Sequence, residues 1–192
     1  MANKVTNILL VGVGGQGTLL ASEILSEVLM LSGSDVKKAE VHGMAQRGGS
    51  VVSHVRYGAK VYSAIIPEGE ADILFGFELL ETYRYLPLLR KGGKVVVNDL
   101  KVLPPSVALG QETYPADIPK KIAASFPDTR LVNGLDLALK SGNARTVNTV
   151  LLGALANTMD IDDKLWHEAI SRMVPPRFVA ENIKAFDLGR NS

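Results

Sequence analysis

Two stretches of this chain carry residue types at spacings that could do chemistry. The first is Gly12-Val13-Gly14-Gly15-Gln16-Gly17. A glycine turn that opens a helix presents unpaired backbone amides, and the helix dipole adds positive potential, so the corner suits a phosphate or another anion. In a dinucleotide-type corner Gly12 would permit the tight turn, Gly14 the close approach of a pyrophosphate and Gly17 the packing of helix on strand. A plain strand-to-helix turn with no ligand would use the same glycines. The second stretch is Glu40-Val41-His42-Gly43-Met44-Ala45-Gln46-Arg47-Gly48-Gly49. Arg47 has the planar fork that grips a carboxylate or phosphate bidentately, or that ties carbonyls within its own turn. Glu40 lies about 20 residues past the first motif, where an acidic side chain can meet a ribose hydroxyl. It equally fits a solvent-facing position on an edge strand. His42 is a candidate acid or base, but no carboxylate partner stands at a fixed spacing from it.

Other chemistries are excluded or disfavoured by what the chain lacks. It has no cysteine, so it offers neither a thiol nucleophile nor ligands for a cysteine-bound iron–sulfur cluster. Its three histidines, His42, His54 and His167, form no metal-binding pattern. The formal net charge is +1, and Lys37-Lys38 and Lys120-Lys121 read as solvated faces, so no nucleic-acid surface is expected. No stretch approaches the roughly 20 continuous apolar residues of a membrane span. Met1-Ala2-Asn3-Lys4 runs into the first strand without a signal-peptide layout, which predicts a cytoplasmic protein.

The elements that must position these residues follow from the apolar pattern. The chain has 192 residues, of which 46% are hydrophobic and 21% charged, enough for one α/β domain spanning 1–192. Ile8-Leu9-Leu10-Val11 predicts a buried strand over 5–12. Leu20, Ile24, Val28 and Leu31 recur at helical spacing, which predicts a helix over 16–32 that ends at Ser32-Gly33-Ser34. A second strand is expected over 35–42. The runs 51–57 and 61–66, separated by Gly58-Ala59-Lys60, read as a hairpin at one side of the sheet.

Apolar strands at 71–77 and 94–98 enclose a helix at 78–89 with Leu79, Tyr83 and Leu86 on one face. Prolines break up residues 99–130, leaving a strand near 107–113, a helix near 116–125 and a last strand at 130–133 followed by a helix at 134–140. The C-terminal third is helical, with Val147, Val150, Leu151, Ala154 and Leu155 on a buried face and Pro175-Pro176 forcing a break. The last helix is expected to dock on this same domain. The predicted fold is a Rossmann-like α/β structure: a largely parallel, doubly wound sheet with an added hairpin and a helical C-terminal third.

The two glycine loops, with Ile66-Pro67-Glu68-Gly69-Glu70-Ala71-Asp72 and Val174-Pro175-Pro176-Arg177-Phe178, closely resemble the gamma-type subunits of 2-oxoacid:acceptor oxidoreductases. The likeness covers nearly the whole chain. The His-Gly-Met-Ala-Gln-Arg-Gly-Gly segment points to the branch formed by the beta subunits of indolepyruvate ferredoxin oxidoreductases, since the pyruvate and 2-oxoglutarate branches look more like Glu-x-Arg-Gly-Gly. The resemblance implies a heteromeric enzyme. A larger partner subunit would hold thiamine diphosphate, magnesium and [4Fe–4S] clusters. The complex would convert an aryl 2-oxoacid, coenzyme A and oxidised ferredoxin to an aryl-acetyl-CoA, carbon dioxide and reduced ferredoxin.

This chain would itself bind no metal or covalent cofactor, would meet ferredoxin only indirectly, and would form a homodimer when expressed without its partner. By the same resemblance Gly12, Gly14, Gly15, Gln16 and Gly17 match a phosphate-type loop for part of coenzyme A or a nucleotide, and His42, Gln46 and Arg47 match the second loop. Two other classes stay open: a stand-alone NAD(P)- or flavin-binding oxidoreductase, and a structural partner whose loops bind only protein.

Overall fold

The computed structural model describes residues 5–43 and 48–192. In chain order the elements are β1 (Thr6–Val13), α1 (Thr18–Leu31), β2 (Asp35–His42), β3 (Ser50–Gly58), β4 (Ala71–Gly76), α2 (Leu79–Arg84) and β5 (Leu89–Asn98). They continue through α3 (Pro105–Ala108), α4 (Ile118–Ser125), β6 (Arg130–Val132), α5 (Gly134–Ser141), α6 (Val147–Ala156), α7 (Asp163–Met173) and α8 (Val179–Arg190). Six strands form one sheet in the order β2-β3-β1-β4-β5-β6. β1 pairs parallel with β4, β4 with β5 and β5 with β6, and β3 alone runs against its neighbours. The expected Rossmann-like, largely parallel sheet is therefore present.

The sheet is covered on both faces because successive side chains of a strand point to opposite sides. In β1, Ile8 and Leu10 join one core, and Leu9 and Val11 join the other. Val96 of β5 likewise faces the first core, and Val95 and Val97 the second. The first core is closed by α1, α6, α7 and α8, with Trp166 stacked on Phe186 at 5.4 Å. The second is closed by α2 and α4 through Leu79, Leu80, Ile118 and Ile122. Of the residues expected on one face of the 78–89 helix, Leu79 is buried and Tyr83 is exposed. Among the described residues no helix is long and apolar enough to cross a membrane.

Two expected strands do not form. The hairpin of the sheet is β2–β3, joined through the second glycine loop, and residues 61–66 are not its second arm. Both edges of β3 are already occupied, by β1 and β2, so the 61–66 run has no ladder to join. Side chains hold it instead. Val61 N–H donates to Asp35 Oδ2 at 2.9 Å, Arg56 donates to the Ser63 and Ile65 carbonyls, and Ile66 N–H donates to His54 Nδ1 at 3.2 Å.

The second miss is the strand near 107–113, where the one-turn helix α3 gives way to turns. That segment is held off the sheet by the buried Glu78 carboxylate, whose Oε1 accepts Val102 N–H at 3.0 Å and the Tyr114 hydroxyl at 3.0 Å. Burial, followed by the charge of Glu78, pushes the Tyr114 hydroxyl pKa up and keeps it a donor.

The final helix docks on this domain, as expected. α6 and α8 cross so closely that a Cβ on Gly153 would overlap the Phe186 carbonyl, and one on Gly189 the Val150 carbonyl. Alanine gains about 1 kcal/mol over glycine inside an isolated helix, but here the obstacle is backbone that cannot rotate away. Gly153→Ala is expected to lower unfolding stability by about 1–3 kcal/mol, read as a fall in the urea midpoint at unchanged slope.

His54 supplies a pH-dependent prediction. Burial, with the nearby Arg56 charge, holds its imidazole pKa below the usual 6.5. The unfolded chain therefore binds the extra proton first, and the His54 contribution is complete above pH 6.5 and declines as pH falls toward the depressed folded value. His54→Gln keeps an acceptor for Ile66 N–H but cannot titrate. Its urea midpoint should fall less steeply with acid than that of the parent chain.

Candidate anion site

The first glycine loop begins while the chain is still in the sheet. Gly12 pairs with Val51 inside β1, and a Cβ there would meet Gln16 Oε1 at 2.7 Å and the Phe77 Cβ at 2.9 Å. Gly12 is thus required by packing, and the turn itself comes later. Gln16 closes that turn twice: its backbone N–H donates to the Val13 carbonyl at 3.2 Å, and its Oε1 accepts Val13 N–H at 2.8 Å. Gly15 and Gly17 adopt positive φ, 104° and 77°, in the left-handed region that a side chain disfavours. Gly17 is the N-cap of α1, and no side chain caps it. Its Cβ position would lie 3.0 Å from Asn148 Nδ2, so this glycine admits close contact with α6 in place of the expected packing on a strand.

Gly14 differs from its expected role. Its N–H donates to the Gly49 carbonyl at 2.8 Å, and its carbonyl accepts Gly48 N–H at 3.3 Å. The amide foreseen for a pyrophosphate is occupied by backbone. The donors left without acceptors among the described residues are those of Gly15, Gly17 and the first residues of α1. The same two bonds show how the loops meet. Direct pairing of the first and second strands does not occur, because β3 lies between them. β3 nevertheless starts at the carboxyl edge of β1, so Gly48 and Gly49, just before it, lie against the loop that follows β1.

On that flank a cleft of about 400 Å³ is bounded by Gly14, Gly15, Gly17, Thr18, Glu40 and His42. The structure therefore brings six of the sequence-predicted residues to the two loops: Gly14, Gly15, Gly17, Glu40 and His42 line the cleft, and Gln16 braces the turn behind it. Glu40 does not project freely, since Lys38 Nζ lies 2.9 Å from its Oε1 and the Ser22 hydroxyl donates to the same oxygen at 3.3 Å. His42 is exposed, and its Nδ1 lies 3.3 Å from the Gly43 carbonyl. Gln46 and Arg47 lie outside the described residues.

The loop has a second flank that sequence reasoning missed. A cleft of about 510 Å³ opens at the carboxyl ends of β1, β4 and β5, bounded by Gly15, Gln16, Gly17, Asn98, Arg145 and Asn148. Arg145 belongs to a short turn of helix, Ala144–Thr146, that leads into α6. The available signal was a basic residue two positions before a strongly apolar helix; nothing local tied it to the glycine loop. Among the described residues neither flank assembles a proton-transfer relay. His54 lies in the sheet with its Nδ1 accepting Ile66 N–H, and His167 pairs with Asp187 at 2.8 Å between α7 and α8. Among the described residues no group of three or more His, Cys, Asp or Glu could hold a metal. The arrangement can bind and orient an anion, and the chemistry it displays ends there.

A family profile described as pyruvate ferredoxin/flavodoxin oxidoreductase matches residues 7–192. The chain is similar to indolepyruvate oxidoreductase subunit IorB of Pyrococcus horikoshii, 42% identical over 191 residues that cover 97% of this chain and 95% of that protein. It is also similar to the keto/oxoacid ferredoxin oxidoreductase gamma subunit of Geobacter sulfurreducens, with a TM-score of 0.70, 26% identity and coverage of 97% and 96% of the two chains. Pyruvate oxidoreductase subunit PORC of Thermotoga maritima shares the fold, with a TM-score of 0.74 at 20% identity over 98% and 97% of the two chains.

Proposed function

The chain belongs to the pyruvate ferredoxin/flavodoxin oxidoreductase family, and from that premise we propose that it is the non-cluster subunit of a ferredoxin-dependent 2-oxoacid oxidoreductase of the indolepyruvate type. The observation that carries this reading is the 42% identity to an indolepyruvate oxidoreductase subunit, sustained over nearly the full length of both chains. Residues 1–192 act as one gamma-type domain of a cytoplasmic complex. The reaction oxidises and decarboxylates an aryl 2-oxoacid, transfers the acyl group to coenzyme A and passes the electrons to ferredoxin.

The division of labour follows from the residues. A chain with no cysteine holds no cysteine-ligated cluster, which agrees with what the resemblance implies, a larger partner subunit that carries the electron-transfer centres, thiamine diphosphate and magnesium. Thiamine diphosphate supplies the carbanion chemistry of decarboxylation there. This chain contributes the paired glycine loops. The Gly12–Gly17 corner and its neighbours Glu40, His42, Gln46 and Arg47 hold a phosphate-bearing part of coenzyme A, with loop amides as donors and Arg47 as a cation. A stand-alone nucleotide-dependent oxidoreductase fits less well, because the Gly14 amide that would meet a dinucleotide pyrophosphate already bonds Gly49.

Reconstitution tests the reading. The purified chain should be colourless and inactive, and should sediment as a dimer through surface otherwise covered by the partner. Oxidation of indolepyruvate with viologen reduction should appear only after the larger subunit is added; turnover by this polypeptide alone would overturn the assignment. Within the assembled complex, Arg47→Ala should raise the apparent KM for coenzyme A about 10–150-fold, the loss of one charge-assisted contact, with little change in that for the oxoacid. An unchanged value in a stable complex would leave Arg47 a turn residue.

A further inference from the structure

The two edges of the sheet are built differently. An edge strand presents a row of unpaired backbone donors and acceptors, and folds usually blunt it by shortness, bulges, proline, charge or a covering segment. At one edge β6 is three residues long. At the other, β2 runs for eight residues without a proline. Its ladder with β3 keeps one register from Asp35 opposite Gly58 to His42 opposite Val51, with no bulge. Among the described residues β3 is the only strand that β2 pairs with, and Val41 near its end is 53% exposed. What remains to guard this edge is charge, so the charge pattern decides what can pair there.

The side chains of β2 alternate between the two faces of the sheet. Lys38 and Glu40 lie on the α1 side, where Lys38 Nζ is 2.9 Å from Glu40 Oε1 and 3.9 Å from Glu23 Oε1. Lys37, Ala39 and Val41 lie on the other side, opposite Arg56, His54 and Val52 of β3. A second copy of the strand, related by a two-fold axis perpendicular to the sheet, would run antiparallel to the first. Opposed side chains must then share a face, so the residue at the axis meets itself and residues equally far on either side meet each other. An axis at Lys37 or Lys38 sets lysine against lysine, and one at Glu40 sets glutamate against glutamate, which is unfavourable. An axis at Ala39 sets the smallest side chain of the strand against itself and Lys38 against Glu40 twice, once on each side. Lys37 then meets Val41, and Val36 meets His42. Charges that would repel most strands are self-complementary in this one register.

We propose that β2 is a self-association edge, taken by β2 of a second copy in antiparallel register about Ala39, so that two six-stranded sheets join into one. Backbone bonds along the strands supply the attraction, and the two Lys38–Glu40 pairs fix the register. The inference rests on the reading above only for the expectation that the isolated chain dimerises, and it names the surface.

The absence of cysteine from the chain makes the register measurable. Opposed Cα atoms of an antiparallel pair are about 4.5–5.5 Å apart, within disulfide reach. Mild oxidation of the full chain carrying Ala39→Cys should give a disulfide-linked dimer on a non-reducing gel. Lys37→Cys alone and Val41→Cys alone should not, because each position lies about 14 Å from its own copy, but an equimolar mixture of the two should. By sedimentation the parent chain should be a dimer. Lys38→Glu should raise the dimer dissociation constant about ten- to hundredfold by setting like charges against each other on both sides of the axis. Glu40→Lys should do the same, and the double variant Lys38→Glu/Glu40→Lys should restore the dimer. Lys120→Glu, an equal change of charge on α4, should leave it unchanged. A monomeric parent chain, a dimer that tolerates Lys38→Glu, or the lack of a cross-link through Ala39→Cys would overturn the pairing. None of these results touches the reconstitution assay, in which viologen reduction after addition of the larger subunit still decides the subunit assignment.

Discussion

The backbone pair between Gly14 and the Gly48–Gly49 segment is the constraint on which the site depends. The β1–β3 ladder runs from Thr6 opposite Tyr57 to Val13 opposite Ser50. The Gly14–Gly49 and Gly48–Gly14 bonds then carry the pairing one step beyond the strands, into both loops. This fixes Gly48 and Gly49 against the first loop before any side chain is considered. It also fixes which amides face outward, since Gly14 is turned toward protein and Gly15 and Gly17 are left open. Gly48, at φ 77°, is the residue that lets the chain leave this contact and enter β3. A side chain at Gly48 would strain that exit, and the consequence would reach α1 through Gly14.

Much of this architecture was legible in the sequence because it is local. Ile8-Leu9-Leu10-Val11 must be a buried strand whichever face each residue takes, and the structure divides those four between two cores. Asp162 is the N-cap of α7, and its carboxylate accepts Lys164 N–H at 2.9 Å, a local device of the same kind. What could not be read is lateral order in the sheet. The run Val61–Ile66 has strand composition and follows β3 after a glycine, so local rules pair them. The long-range choice to insert β3 between β1 and β2 removes both edges it could have offered. Residues 107–113 failed for a related reason. Their placement depends on Glu78, a carboxylate distant in sequence that is buried at 1% exposure and surrounded by donors.

The candidate site divides along the same line. The glycines at 12, 14, 15 and 17 were visible as a motif, but their separate duties were not. Gly12 is required by the Gln16 and Phe77 side chains, Gly14 pairs its backbone with Gly48 and Gly49, and Gly17 is required by its φ and by Asn148. Arg145 and Asn148 carried no motif at all. They reach the corner only because α6 packs against α8 at a double glycine crossing while α7 is tied to α1 by Arg172 and Glu27, 2.7 Å apart. The helical third of the chain is therefore part of the site's wall, in addition to covering one face of the sheet.

That construction bears on why the chain acts within a larger enzyme. Catalysis requires groups whose interactions strengthen as charge or protons move. The glycine corner offers fixed dipoles on rigid elements, with its histidines either held in the sheet, paired on the helices or exposed at a strand end. Such a corner can fix the position of an anion with little reorganisation, which is useful when the reacting atoms of a long co-substrate lie elsewhere. Binding at a remote phosphate then restricts where the reactive end can travel, and part of the orientation needed for acyl transfer is supplied in advance. In the division of labour proposed above, a subunit that holds one end of the molecule while another performs the chemistry needs the rigidity seen here. It has no need of a nucleophile, a metal or a proton relay beside its glycine loops.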